Sequence, residues 1–193
     1  MFGRRGRRLP HGHRWIDHIL GWGVEHPGIT PRLPSLTRGE WSMEVSGLVE
    51  SPATLSFQDL LALPQVDSVS DFHCVEAWSV KDQGWSGAPF TALMERVKPR
   101  RGARYALFRA YDGYSTSLPL RELSKEGVLL AHTLNGQPLP PPLGGPVRLV
   151  VPHKLGYKSI MWLRGVEFSA NDELGFWEAR GYTNEADPWR GAD

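Results

Sequence analysis

The sequence has a single cysteine, no long apolar run and almost no net charge, and each of these absences excludes a class of protein. One cysteine, Cys74, in 193 residues cannot close an intrachain disulfide, and one thiolate cannot supply the four protein ligands of a structural zinc site. No stretch of about 18 apolar residues is present, so no transmembrane helix is expected. With 22 basic and 21 acidic residues the formal net charge is +1, which indicates no overall bias towards nucleic acid.

The positive charge is nevertheless unevenly distributed. Arg4, Arg5, Arg7, Arg8 and Arg14 lie in the first 14 residues with no acidic residue among them. This pattern fits either a contact with nucleic acid or an acidic membrane, or a solvated, disordered tail, and the tail is the favoured interpretation. No uninterrupted apolar stretch follows the arginine pairs, so no signal peptide is predicted. The lone thiol fits a reducing cytoplasm and also a disulfide-free exported enzyme, and without a signal peptide the expected location is the cytoplasm.

Sixteen prolines and 21 glycines divide the chain into short segments, most of them typical of strands. Residues 1–39 are predicted to form a basic, Pro/Gly-rich arm without regular structure, and residues 40–193 to form one domain that ends in an aromatic tail. Helices are predicted from the Ser56 cap to Pro64, over 89–97 and over 120–125. The predicted strands are 41–45, 54–55, 66–75, 104–110, 114–118, 128–134, 147–151 and 160–168. This order predicts an α+β fold of mixed, mostly short-stranded sheets with few helices.

Cys74 is expected at the end of a strand or in the loop beyond it, among aromatic and β-branched residues. Its thiolate can complete a soft-metal centre whose other sulfurs come from an organic cofactor. The alternative is that Cys74 is a small, buried hydrophobic residue. A nucleophilic pair with His73 is not expected, because neighbouring residues of a strand point to opposite faces.

A second group of candidate residues follows the strand 147–151. Arg148 lies inside this apolar strand, and a buried charge is costly unless it is paired. Arg148, Lys154 and Lys158 could bind a phosphate, and Gly156 would let backbone N–H groups approach it. The alternative is an arginine paired to a carboxylate, beside two solvated loop lysines.

Four segments, in order, resemble the molybdopterin-binding domain of the sulfite oxidase family. They are FHCVEAWS (72–79), YSTSLPL (114–120), LLAHTLNGQPLP (129–140) and PVRLVVP (146–152). The resemblance extends over roughly residues 40 to 190, and four ordered motifs are more specific than any one of them alone. It implies the fold of that domain.

The resemblance also implies the site. Cys74 would be the thiolate ligand of molybdenum, with two further sulfurs from the dithiolene of molybdopterin, and Cys74 is therefore both the metal ligand and a catalytic residue. The residues implied to bind the cofactor are Phe72, His73, Arg148, Lys154, Gly156, Tyr157, Lys158 and Ser159.

The implied reaction is the transfer of an oxygen atom to or from a small sulfite- or sulfoxide-type substrate. The electrons would pass to or from a separate haem protein or flavin, since the chain has no haem-attachment motif. The alternative function is a non-catalytic binding or assembly module that retains the fold.

Departures from the family pattern bear on the substrate. The Arg-Asn-His run of sulfite oxidases, which helps to bind the sulfite anion, has only the poor counterpart 26–32, in which Arg32 is a possible substitute. Met161 stands where the family has a lysine. The run 75–79 is more similar to the catalytic subunits of methionine sulfoxide reductases.

The C-terminal run FWEARGY (176–182) is similar to the family segment that carries an active-site tyrosine near the substrate oxygen. The resemblance implies that Tyr182 is a catalytic residue in the cavity above Cys74, with Arg180 as a possible contact for an anion. The alternative is an aromatic tail that only packs on the domain.

Overall fold

A computed structural model describes residues 8–190, which form two β-sheets with three short α-helices. The six-stranded sheet contains β1 (Arg14–Trp15), β4 (Val66–Cys74), β5 (Trp78–Pro89), β8 (Leu129–Leu134), β9 (Gln137–Pro138) and β10 (Arg148–Val150). The five-stranded sheet contains β2 (Ser42–Gly47), β3 (Ala53–Ser56), β6 (Tyr105–Ala110), β7 (Ser115–Pro119) and β11 (Leu163–Ser169). The helices are α1 (Phe57–Leu61), α2 (Phe90–Val97) and α3 (Leu120–Leu123). The predicted α+β class is confirmed.

The start of helix α1 was predicted from a local feature of the sequence, a serine that can cap a helix. Ser56 caps α1: its Oγ accepts a hydrogen bond from the Asp59 N–H at 3.2 Å, and the Asp59 carboxylate accepts one from the Ser56 N–H at 3.0 Å. This reciprocal pair satisfies two N–H groups that a helix start otherwise leaves unpaired. The predicted helix start is therefore confirmed.

Strand β5 is the longest strand of the structure and was not predicted. Its middle carries Lys81, Asp82 and Gly84, which are residue types that rarely favour strands. It forms because β4 pairs along one edge, while β1 and β8 pair with the two ends of the other edge and so bond many of its backbone groups. Gly87 allows the close approach to β8, since a Cβ there would lie 2.2 Å from the Leu130 carbonyl oxygen.

The N-terminal arm joins the six-stranded sheet through a two-residue strand. Arg14–Trp15 pair in parallel with Trp78–Ser79 of β5, a strand that was not predicted in the arm. His13 Nδ1 lies 2.8 Å from the Ser79 hydroxyl. The residues Arg4, Arg5 and Arg7 lie outside the described residues.

The main hydrophobic core lies between the two sheets and includes Trp41, Phe90 and Phe108. A smaller buried cluster contains Cys74, Trp78 and Trp85 on the six-stranded sheet. None of the helices within residues 8–190 is both long enough and apolar enough to cross a membrane.

Candidate active site

A cavity of about 400 Å³ opens where β4 ends, and four separate segments form most of its wall. They are the N-terminal segment 19–29, the β4–β5 turn, the loop 156–162 and the C-terminal segment 176–182. The rest of the wall comes from Phe72, Asp112, Tyr114, Leu143 and Arg148. Of the residues predicted from the sequence, seven line it: Phe72, Cys74, Arg148, Gly156, Tyr157, Ser159 and Tyr182.

Cys74 is the last residue of β4 and pairs across the strands with Trp78. The turn that follows is closed by Ala77, whose N–H donates to the Cys74 carbonyl at 3.2 Å and whose φ is 60°. Burial raises the pKa of the Cys74 thiol to about 12, although the N–H groups of Glu76 and Val75 act in the opposite direction. A soft metal ion would displace the thiol proton, since only the thiolate is a ligand.

Arg148 is a buried cation in the wall of the same cavity. Its Nη1 donates to the Leu143 carbonyl at 3.0 Å and its Nη2 to the Ser159 carbonyl at 2.8 Å. Its Nε has no hydrogen-bond partner, and no carboxylate lies within ion-pair distance, among residues 8–190. Burial lowers the pKa of Arg148 to about 9, which leaves it charged at neutral pH. The site therefore contains a positive charge on Arg148, and no carboxylate of residues 8–190 serves as its counter-ion.

The loop after β10 brings three predicted residues to the cavity. Gly156 is required by packing, because a Cβ there would lie 2.5 Å from the Phe72 ring. The Tyr157 hydroxyl donates to the Thr183 carbonyl at 2.6 Å, and the Ser159 hydroxyl accepts from the Val151 N–H at 2.9 Å. These bonds fix the loop between β10 and the C-terminal segment.

The C-terminal segment runs back across the cavity. The Tyr182 ring contacts Trp177 with centroids 5.1 Å apart and Tyr157 at 5.5 Å. Arg180 lies over the Phe176 ring, with 3.7 Å from its Cζ to the ring centroid, and remains exposed at the rim. Tyr182 and Cys74 therefore line one cavity.

Three residues predicted to bind the cofactor lie outside the cavity lining, and these placements differ from the expectation. His73 points to the opposite face of β4 from Cys74, where its Nδ1 lies 2.8 Å from the Ser79 hydroxyl. Lys154 donates to the Glu185 carbonyl at 2.7 Å. Lys158 is fully buried and bonded to Glu178. The alternation of strand residues explains His73, whereas the partners of the two lysines come from distant segments.

Residues of the N-terminal segment were missed. His26 stacks on Trp22 with centroids 3.9 Å apart, and both line the cavity. The His26 Nε2 lies 2.6 Å from a Glu76 carboxylate oxygen, a contact that lacks hydrogen-bond geometry. Arg32, the possible substitute for the arginine of sulfite oxidases, is exposed and does not line the cavity. The poor match of 26–32 to the family run was the one signal in the sequence.

The lining fits a cofactor that carries both soft sulfur and phosphate. Arg148 provides a buried N–H without a partner, and Cys74 provides one soft ligand in a cavity large enough for a ligand. The model of the oxidoreductase molybdopterin-binding domain matches residues 30–177, which is most of the chain. The chain belongs to the sulfite oxidase family of molybdopterin-binding domains.

Similar proteins agree with this assignment. The uncharacterized oxidoreductase YuiH of Bacillus subtilis is 40% identical over 167 residues, which cover 86% of this chain and 83% of YuiH. The protein-methionine-sulfoxide reductase catalytic subunit MsrP of Campylobacter jejuni is 33% identical over 156 residues, 72% of this chain and 52% of MsrP. The chain thus spans about half of that relative.

A solved structure shows the same fold. The sulfane dehydrogenase SoxCD from Paracoccus pantotrophus matches 83% of this chain and 44% of its own, with a TM-score of 0.71 and 22% identity. The family assignment makes the chain a molybdenum-dependent oxidoreductase, and its expected cofactor is molybdenum with molybdopterin.

Proposed function

We propose that this chain reduces a neutral sulfoxide-type substrate at a molybdenum ion bound by Cys74. The observation that carries the proposal is the composition of the wall around the Cys74 thiol, which is mainly aromatic and aliphatic. The overall change would be sulfoxide plus two protons and two electrons to sulfide plus water.

The cofactor would be held by residues that already line the cavity. Cys74 would bind the metal, and Arg148 would bind the phosphate through its unpaired N–H. Phe72, Tyr157 and Ser159 would flank the pterin. When bound, the cofactor would supply the two-electron oxygen-atom transfer.

Charge in the cavity favours a neutral substrate over the sulfite anion. An inorganic anion needs several cations or N–H donors to replace its water. Here Met161 occupies the wall, Arg32 is outside it, and Arg180 lies at the exposed rim. A sulfoxide with apolar substituents would instead bury those groups against Trp177 and Met161.

Tyr182 would orient the substrate. A phenol can donate a hydrogen bond to the sulfoxide oxygen, and the half-buried ring of Tyr182 lines the same cavity as Cys74. The C-terminal segment would also exclude water from the cavity. We propose that a separate haem protein or flavin delivers the electrons.

The test is an assay of the protein expressed in a host that makes molybdopterin. With a reduced dye as electron donor, we expect turnover of methionine sulfoxide, and with sulfite and an electron acceptor, at least 100-fold lower kcat/KM. Cys74→Ser should abolish turnover, because serine is not a soft ligand and no second cysteine can replace Cys74.

Arg164→Met is the matched control, since Arg164 is exposed on β11 and does not line the cavity. A preference for sulfite would contradict the neutral-substrate assignment. Full activity of folded Cys74→Ser would contradict ligation by the thiolate. A folded wild-type protein that contains no molybdenum would favour the alternative of a non-catalytic module.

A further inference from the structure

We propose that Lys158 and Glu178 are positioning residues whose ion pair holds the substrate-facing wall of the cavity, and that Lys158 is not a contact for the cofactor phosphate. The inference rests on the proposed function for the identity of the substrate only. It concerns the C-terminal segment, defined here as residues 172–186.

The Lys158 ammonium has no hydrogen left for a ligand. Its Nζ donates to the Ser117 carbonyl at 3.0 Å, to Asn184 Oδ1 at 2.7 Å and to Glu178 Oε1. An ammonium has three N–H donors, and these three acceptors use all of them. The side chain is also fully buried and does not line the cavity. A phosphate at Lys158 would have to displace one of these partners.

The buried carboxylate of Glu178 needs the charge of Lys158 as much as Lys158 needs that of Glu178. Its side chain is fully buried, and Oε1 also accepts a hydrogen bond from the Thr116 hydroxyl at 2.5 Å. Its Oε2 has no hydrogen-bond partner among residues 8–190. A buried carboxylate that loses its counter-charge is strongly destabilised. Removal of either side chain should therefore displace the remaining charged side chain from its buried position.

The pair connects the two walls that a substrate would contact. On one side, Lys158 lies between Tyr157 and Ser159, which line the cavity. On the other side, Glu178 follows Trp177 directly and precedes Arg180, both of which line the cavity.

Asn184, the third partner, lies two residues after Tyr182 and donates to Asp172 at 2.5 Å. One ammonium thus binds the stretch that carries the cavity residues at two points, within it at Glu178 and just beyond it at Asn184.

Loss of the pair should loosen this stretch without removing a cofactor contact. Within the stretch, the attachments that remain are the Phe176 N–H to the Ser115 carbonyl at 2.9 Å and the Tyr157 hydroxyl to Thr183. The ends of the segment keep the bonds from Ser117 to Asp172, from Lys154 to the Glu185 carbonyl and from the Leu155 N–H to the Ala186 carbonyl. Substrate binding, which needs Trp177 and Tyr182 in place, should weaken more than the chemical step. The retention of molybdopterin, which we assign to Arg148, should not change.

The experiment compares Glu178→Gln and Lys158→Met with a surface control, Arg164→Met. Arg164 is exposed on β11 and does not line the cavity. Both pair variants should raise KM for methionine sulfoxide tenfold or more and lower kcat by a smaller factor, with molybdopterin content within twofold of wild type. Limited proteolysis should cleave both variants within 172–186 faster than wild type and the control.

The double variant Lys158→Met/Glu178→Leu removes both charges and keeps apolar volume, so it should fold even where a single variant does not. It should restore KM and protease resistance towards wild type relative to either single variant. Loss of molybdopterin in Lys158→Met and in the double variant, but not in Glu178→Gln, would show that Lys158 binds the phosphate and would overturn the proposal. Unchanged KM and unchanged proteolysis in all variants would overturn it as well.

Failure of the proposed function can be distinguished from failure of the positioning role. If wild type does not reduce sulfoxides, the cofactor content and the rate of cleavage within 172–186 still test the pair. Equal cleavage rates in wild type and both single variants would then refute the positioning role.

Discussion

Replacement of Arg148 by methionine should separate cofactor binding from stability. A guanidinium has five N–H donors, and the Leu143 and Ser159 carbonyls use two of those on Arg148, which leaves three. A phosphate beside the planar group can receive two of these, from Nε and from one Nη, as charge-assisted hydrogen bonds. At about 1.5 kcal/mol each, their loss amounts to about 3 kcal/mol, or roughly a 100-fold faster loss of cofactor.

The stability of the cofactor-free protein should not fall in parallel. A fall in the pKa of Arg148 from 12.5 to about 9 corresponds to about 5 kcal/mol by which burial disfavours the charge. Methionine removes that cost but leaves two carbonyls without a donor, at about 1 to 3 kcal/mol each. These effects oppose each other, and the free energy of unfolding should change by between a loss of about 1 kcal/mol and a gain of about 3 kcal/mol.

The assay is pterin content after prolonged dialysis, with urea unfolding of the cofactor-free proteins in parallel. Arg148→Lys should be intermediate, because an ammonium keeps the charge but not the planar pair of donors. Arg164→Met should match wild type in both measurements. Equal pterin retention in wild type and Arg148→Met, or a loss that only follows unfolding, would refute the assignment of the phosphate to Arg148.

Three further predictions concern other groups. Tyr182→Phe should lower kcat for sulfoxide about tenfold or more and leave pterin content and melting temperature unchanged, and an unaltered kcat would remove Tyr182 from the mechanism. Alkylation of Cys74 in cofactor-free protein at pH 8 should be roughly a thousandfold slower than that of a free thiol, because burial raises the pKa of Cys74 to about 12. Mass spectrometry after treatment with iodoacetamide measures the rate, and rapid labelling would contradict the burial of the thiol. Burial alone would raise the pKa of Glu122, but the hydrogen bond from Lys125 and the nearby charges outweigh it and lower the pKa from 4.5 to about 2. The unfolded chain therefore binds the proton first, so the stability from Glu122 is complete above pH 4.5 and is lost as the pH falls towards 2. Urea unfolding at pH 6 and pH 3 should show that Glu122→Gln loses on the order of 1 to 3 kcal/mol at pH 6 and much less at pH 3, and an equal loss at both would contradict the role of its charge.

Much of the fold could be predicted because short-range chemistry decides it. Ser56 and Asp59 are three residues apart, and their mutual hydrogen bonds need no other part of the chain. Strand β5 could not be predicted, because its backbone is stabilised by β4 on one side and by β8, more than 40 residues further along the chain, on the other. Its own residue types give little support to a strand.

The sequence predicted a strand that ends at or just before Cys74, a strand around Arg148, and the side chains of His73 and Cys74 on opposite faces, because the alternation of strand residues is a local property. The directions of the loop lysines depend on tertiary packing. Lys158 and Glu178 are 20 residues apart, and nothing in either segment specifies the other as its partner. The buried ammonium of Lys158 is stabilised by a carboxylate from another segment, and the contact between them exists only once the chain has packed.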